Sequence, residues 1–281
     1  MKSDRKLFID PSLISISKDP LCVESNQVIS SYFDKFYTSY RNGDTTGINE
    51  LLAHAREVSD THIGYGGTFN GSGNTAKGLM DKFSNLSSFI TKINSVSLAS
   101  DLPVFIRDFD KDGLSDMITN IIRLQLYNFT QKQMALYGIS SNSTCSFFTW
   151  SVEKNDWDYI RNVPSYAHEN GNILLVPKEI VQKNYLCRAE HFFRHVILER
   201  MQHDETYTDS LGKTIIPYKK ELEAKINKQN KAWKQDFVID YTSQFPDALS
   251  EYHKRIPEFY YNRRMTDDEL DFTVYGRRIL S

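Results

Sequence analysis

Residues 103–116 read Pro103-Val104-Phe105-Ile106-Arg107-Asp108-Phe109-Asp110-Lys111-Asp112-Gly113-Leu114-Ser115-Asp116. A short apolar run empties into a loop with four aspartates within nine residues, and a long amphipathic pattern follows. Such a run bounded by turn residues predicts a buried strand. Carboxylates crowded at its end repel one another unless a positive charge sits among them. A divalent cation suits oxygen ligands at this spacing. The alternative is structural: Asp112 and Asp116 cap the helix and complement its dipole, while Asp108 and Asp110 are solvated turn residues.

Working outward, helical spacing recurs over residues 26–41 (Val28, Ile29, Tyr32, Phe33, Phe36, Tyr37, Tyr40), and Asn42-Gly43 stops it. Further helices are expected over 47–58, 75–89 and 116–137, the last with Ser115 as N-cap and Gly138 at its C-terminal end. Residues 145–150 and 172–176 read as strands, with turns at 155–158 and 168–171 between them. Residues 187–202, 217–241 and 247–254 read as helices. The expected class is α+β or mixed α/β, a small central sheet flanked by helices with a helical C-terminal extension. Two units are expected: a core over 1–205 carrying the glycine-rich and aspartate loops, and a basic helical extension over 206–281.

The chain has 281 residues, 40% hydrophobic and 25% charged, which fits an ordinary globular protein and excludes a largely disordered one. No stretch reaches the ~20 apolar residues of a membrane helix, so no membrane partner is expected. The basic N-terminus leads into only a brief apolar segment broken by Asp10-Pro11, so no secretory signal is expected. Three scattered cysteines argue against a disulfide framework and for a reducing, cytoplasmic home. The net charge of -2 hides an asymmetry. Residues 213–234 hold seven lysines against Glu221 and Glu223, and Arg255, Arg263, Arg264, Arg277 and Arg278 follow.

Asp108, Asp110, Asp112 and Gly113 match the opening of a calcium loop, but Thr119 stands where an EF-hand needs a bidentate glutamate. Phe109-Asp110-Lys111-Asp112-Gly113 is similar over five residues to the first motif of the haloacid dehalogenase superfamily. Leu114 replaces its threonine, and no acidic pair follows a later strand. A longer stretch, Gly113-Leu114-Ser115-Asp116-Met117-Ile118-Thr119-Asn120-Ile121-Ile122 with Ile173-Leu174-Leu175-Val176-Pro177-Lys178, resembles an uncharacterised group of prokaryotic proteins. That group is associated with defence and restriction-type gene neighbourhoods, and the resemblance implies a defence setting without an established activity. The Glu/Gln-x-Lys pair of a PD-(D/E)xK nuclease has no clean copy.

On one helix face, Asp116 and Asn120 are a turn apart, and Asp112 precedes them. The resulting expectation is a metal-dependent phosphodiester hydrolase acting on nucleic acid. Asp112, Asp116, Asn120 and Lys178 would be catalytic, and Asp108, Asp110, Asp112 and Asp116 would bind Mg²⁺ or Mn²⁺, with Ca²⁺ as the alternative. Gly71, Gly73 and Lys77 lie in a glycine-rich segment before a helix, where backbone N–H groups can meet a phosphate. A flexible surface loop is the bland alternative. Lys219, Lys225, Lys228 and Lys231 form a basic helix face able to track a phosphate backbone, or an ordinary solvated face. His191 and His195 lack the glutamate of a zinc protease motif and suit a hydrogen-bonded, partly buried face. A competing function is non-enzymatic: a protein-interaction subunit of a defence complex, docking through its 17 Phe, 16 Tyr and 3 Trp residues, with a structural or Ca²⁺-filled aspartate loop.

Overall fold

The computed structural model describes residues 5–55, 60–64, 76–107, 109, 111–168, 171–226, 233–261 and 264–276, with only the backbone of 76 and 77. In chain order the elements are β1 (Phe8–Ile9), α1 (Pro11–Ile16), α2 (Pro20–Asn42), α3 (Thr45–Ala53), α4 (Ala76–Phe83), α5 (Leu86–Phe89), α6 (Leu102–Phe105), α7 (Lys111–Ile121) and α8 (Arg123–Leu136). A hairpin follows, β2 (Ser143–Ser151) and β3 (Asp156–Ser165), then β4 (Ala167–His168), β5 (Gly171–Asn172) and β6 (Val181–Gln182). The remainder is α9 (Ala189–Phe192), α10 (Leu198–Asp204), β7 (Tyr207–Thr208), β8 (Thr214–Ile215), α11 (Lys219–Ile226), α12 (Trp233–Gln244), α13 (Asp247–Tyr260) and α14 (Asp267–Tyr275). The class is mixed α+β with a helical C-terminal region. Its β component consists of antiparallel two-stranded pairs, β1 with β6, β2 with β3, β4 with β5 and β7 with β8.

At the centre lies α2. Asp19 caps it by accepting from Leu21 N–H at 2.9 Å, Pro20 supplies a preset first turn, and Gly43 at φ 66° closes it. Its apolar stripe buries Tyr32, Phe33, Phe36 and Tyr37. The β2–β3 hairpin docks there through Trp150 and Trp157, whose rings meet Tyr32 edge-on at 5.1 and 5.7 Å. Trp157 Nε1 and the Tyr32 hydroxyl both donate to Leu51 C=O, so the burial of these large rings leaves no polar tip unpaired. Residues of α11, α12 and α13 (Leu222, Val238, Leu249, Tyr252, Ile256, Tyr260) join the same buried core as α2 and α7.

The stretch at 103–106 is not a strand. Residues 102–105 form the helical turn α6, and Ile106 leaves it extended. Pro103 sits in the first turn, and the Asp101 carboxylate gathers Ser97 and Leu98 N–H just upstream. Burial of Val104, Phe105 and Ile106 is as expected, but four apolar residues carry no period that separates helix from strand. The following helix starts at Lys111 rather than after Ser115, and it breaks at Ile122 into α7 and α8. Thr149 of β2 occupies that break: its hydroxyl donates to Ile121 C=O and accepts from Leu124 N–H, both at 3.2 Å. Residues 173–176 form no ladder either. Ile173 N–H bonds to Tyr166 C=O, Leu174 N–H to Asp60 C=O and Leu175 N–H to Thr130 Oγ1. Strand β3 begins inside the turn expected at 155–158, because Asn155 at φ 47° completes the reversal before Asp156.

Candidate functional site

The face of α7 is built against β1. Ser115 lies in the interior of α7, and its Oγ accepts from Ile9 N–H at 2.9 Å. Beyond β1, the Tyr185 hydroxyl donates to Ile9 C=O at 2.5 Å. Next along the chain, Asp10 caps α1 by accepting from Ser12 N–H at 2.9 Å, and its second oxygen accepts the Tyr260 hydroxyl at 2.6 Å. Burial pushes the Asp10 carboxyl up to about 6 against those stabilising bonds. The Tyr185 phenol is held well above its usual value by burial, then by the charges of Asp10, Asp116 and Asp112. Three carboxylates from two segments of the chain therefore act on one tyrosine.

Asp112 occupies the first turn of α7, while Asp116 and Asn120 are only 8% and 6% exposed. Asn120 Nδ2 donates to Asp116 C=O at 3.1 Å, so the expected pair shares one helix face. The Asp112 carboxylate lies against Gly64. A Cβ built at Gly64 would come within 2.7 Å of Asp112 Oδ1, and its φ of 129° is one that side chains resist. Gly64 N–H also donates to Arg5 C=O at 2.8 Å. The start of the glycine-rich segment and the aspartate-bearing helix thus meet at one place. Asp108, Asp110, Gly71, Gly73, Lys228 and Lys231 lie outside the described residues, as does the Lys77 side chain. Among the described residues no group of three or more His, Cys, Asp or Glu is placed to hold a metal ion.

Beside this face opens a groove of about 510 Å³ lined by Arg5, Lys6, Lys111, Lys183, Asn184, Phe272 and Thr273. Among the described residues four cations line it and no carboxylate does. Lys111 Nζ reaches across to Lys183 C=O at 2.5 Å and Asn184 Oδ1 at 2.6 Å, and lies 4.6 Å above the Phe8 ring. Arg5 Nε is buried without a hydrogen-bond partner among the described residues. The lining residues lie far apart in sequence, so no local motif could have announced them.

The lysines singled out from the sequence are placed differently. Lys178 donates to Asp267 Oδ1 of α14 at 2.6 Å, which raises its pKa, and it is an exposed side chain on a short 3₁₀ turn. Lys219 bonds Glu199 Oε1 and Arg194 C=O, both at 2.9 Å, and Lys225 bonds Glu205 Oε2 at 2.5 Å. The basic face expected to meet phosphate is here matched by carboxylates of α10 and the residue after it. Near them His191 and His195 stack at 4.3 Å, and His191 Nδ1 lies 2.9 Å from the Tyr252 hydroxyl. They sit where the helix widens into a π turn over Phe193–Ile197. Burial, then Lys219, hold His195 below its usual pKa.

Residues 1–187 match the model of a family described as a domain of unknown function, DUF8370. No curated protein and no solved structure matches. No helix among the described residues is long and apolar enough to cross a membrane.

Proposed function

We propose that this chain, which belongs to the domain family of unknown function DUF8370 matched over residues 1–187, is a metal-dependent phosphodiester hydrolase acting on nucleic acid. One observation carries the reading: the four-cation groove begins at Lys111, and the next residue, Asp112, opens the acidic face of α7. A groove lined by cations attracts phosphate, and Mg²⁺ needs only one or two protein carboxylates, its other positions going to water and substrate phosphate. Asp112 and Asp116 would hold Mg²⁺ or Mn²⁺, which would supply an acidified water and charge for the phosphate. Lys183 takes the neutralising role that the sequence pattern assigns to Lys178, whose ammonium is engaged by Asp267, while Lys111 is tied to Lys183 C=O and Asn184 Oδ1. A place in antiviral defence, implied by the sequence resemblance, would make the substrate foreign nucleic acid.

The test is cleavage of DNA and RNA panels in Mg²⁺ or Mn²⁺ against EDTA. Asp112→Asn and Asp116→Asn keep side-chain size and should each lower cleavage by about a hundredfold or more. Cleavage untouched in Asp116→Asn refutes the assignment.

A second reading, docking to another protein subunit, draws on a different place. Around the β7–β8 hairpin, Tyr207, Leu211, Ile216 and Tyr218 are all exposed, Leu211 at 90%. A run of apolar side chains left in water is the kind of surface that a partner covers. Co-purification lost on Leu211→Asp and Tyr218→Ser, with cleavage absent from the wild type, would favour it.

A further inference from the structure

We infer that the basic groove is a single-stranded nucleic-acid subsite in which a base stacks on Phe272 and its phosphate is held by Lys183, Lys6 and Arg5. The inference rests on the phosphodiester reading above and deepens it by naming the form of the substrate. Phe272 is 57% exposed, although a phenylalanine gains by burial, and it lines the same groove as the four cations. Cations tracking a backbone beside an aromatic platform are how single strands are held without sequence readout, because every base offers a π face and a duplex hides it. A volume of about 510 Å³ falls in the range that small ligands of nucleotide size occupy.

Among the described residues no acid lines the groove, although the Lys183 charge is felt by Glu269 of α14. On α14, Asp267 is bound to Lys178, and the Glu269 carboxylate accepts from Thr266 N–H at 2.9 Å in the helix's own capping box. Neither lines the groove. Lys111 is the anchored cation, fixed to Lys183 C=O and Asn184 Oδ1, so it shapes the wall. Arg5 lines the groove, and its buried Nε has no hydrogen-bond partner among the described residues. The platform comes from α14, outside the residues that match the family model, so the C-terminal part of this chain completes a site begun by the matched part.

The experiment is fluorescence anisotropy of a short fluorescein-labelled oligothymidylate with the full chain in EDTA, where cleavage plays no part. Competitors are thymidine monophosphate, inorganic pyrophosphate and a duplex of equal length. Expected are binding of the single strand, competition by the nucleotide well above pyrophosphate, and weaker competition by the duplex. Phe272→Ala and Phe272→Leu should each weaken binding roughly tenfold, the leucine separating loss of stacking from loss of bulk. Lys183→Glu should weaken it and flatten its salt dependence. Equal competition by pyrophosphate, equal competition by the duplex, or unchanged affinity in both Phe272 variants overturns the inference. Cleavage that persists with unchanged Phe272 binding leaves the hydrolase standing without this subsite. Single-strand binding without any metal-dependent cleavage has the opposite meaning.

Discussion

Two lysine-bearing regions of this molecule look alike on paper and differ in space. Along α11 and α12, Lys219, Lys225 and Lys234 each meet a carboxylate within 3 Å: Glu199, Glu205 and, for Lys234, both Glu190 and Glu223. In the groove, Arg5, Lys6, Lys111 and Lys183 come together with no carboxylate among the described lining residues. The first region is dense in lysine over a short stretch, whereas the second is assembled from separate segments. Local density of charge measures composition, but the electrostatic potential that a ligand feels depends on what the fold puts opposite each charge.

The largest expected effect concerns Asp10, whose burial raises its pKa although its bond to Tyr260 opposes that rise. Asp10 is fully buried, and its folded pKa of about 6 lies above the ordinary 3.8. Its protonated form is therefore favoured by folding. That stabilisation is full below about pH 3.8 and is lost as pH rises through about 6, a change of about 3 kcal/mol. Asp10→Asn keeps an acceptor for Ser12 N–H and should abolish this dependence. Denaturant unfolding of both proteins from pH 4 to 7 checks it, and parallel profiles would refute it.

Next in size is charge reversal in the groove. Lys6→Glu with Lys183→Glu should lower single-strand affinity roughly fiftyfold and reduce the salt slope by about 1.4, or about 0.7 for each phosphate no longer neutralised. Lys219→Gln with Lys225→Gln should leave both quantities unchanged. The reverse outcome would move the nucleic-acid surface to α11. Gly64→Ala should cost about 1–3 kcal/mol by thermal or urea unfolding, because the new Cβ meets the Asp112 carboxylate at an unfavourable φ. The smallest effect belongs to Lys225→Ala, since the Glu205 pair is largely solvent-exposed; a stability change under about 1 kcal/mol is expected.

Much of the helical architecture was legible. The 3.6-residue stripe of α2 and the glycine after it are local signals, and so is the β-rich run that became β2. Of the site, the shared face of Asp116 and Asn120 was legible from their spacing. Illegible were Asp10, Arg5, Lys6 and Lys183, which gain meaning only from residues distant in sequence: Tyr260, which bonds Asp10, and the other residues that line the groove with Arg5, Lys6 and Lys183. Of the strand expected at 172–176 only Asn172 lies in one, β5; the apolar run after it failed for the same reason, since it found side-chain and loop partners instead of a ladder.

What the sequence by itself determined is whatever depends on neighbours within a few turns: amphipathic periods, caps such as Asp19-Pro20 and Asn42-Gly43, and the burial of the 103–106 run. Only the tertiary structure decided whether that run was helix or strand, where the helix after the aspartates broke, and which cations came together to line a groove. Particular long-range contacts show where local signals were overruled. Thr149 fills the break after Ile121, Ser115 serves β1 instead of starting a helix, and Lys178 is drawn to Asp267. Each of these contacts needs the chain already folded, because the partners are brought together by burial of a shared core rather than by proximity along the backbone.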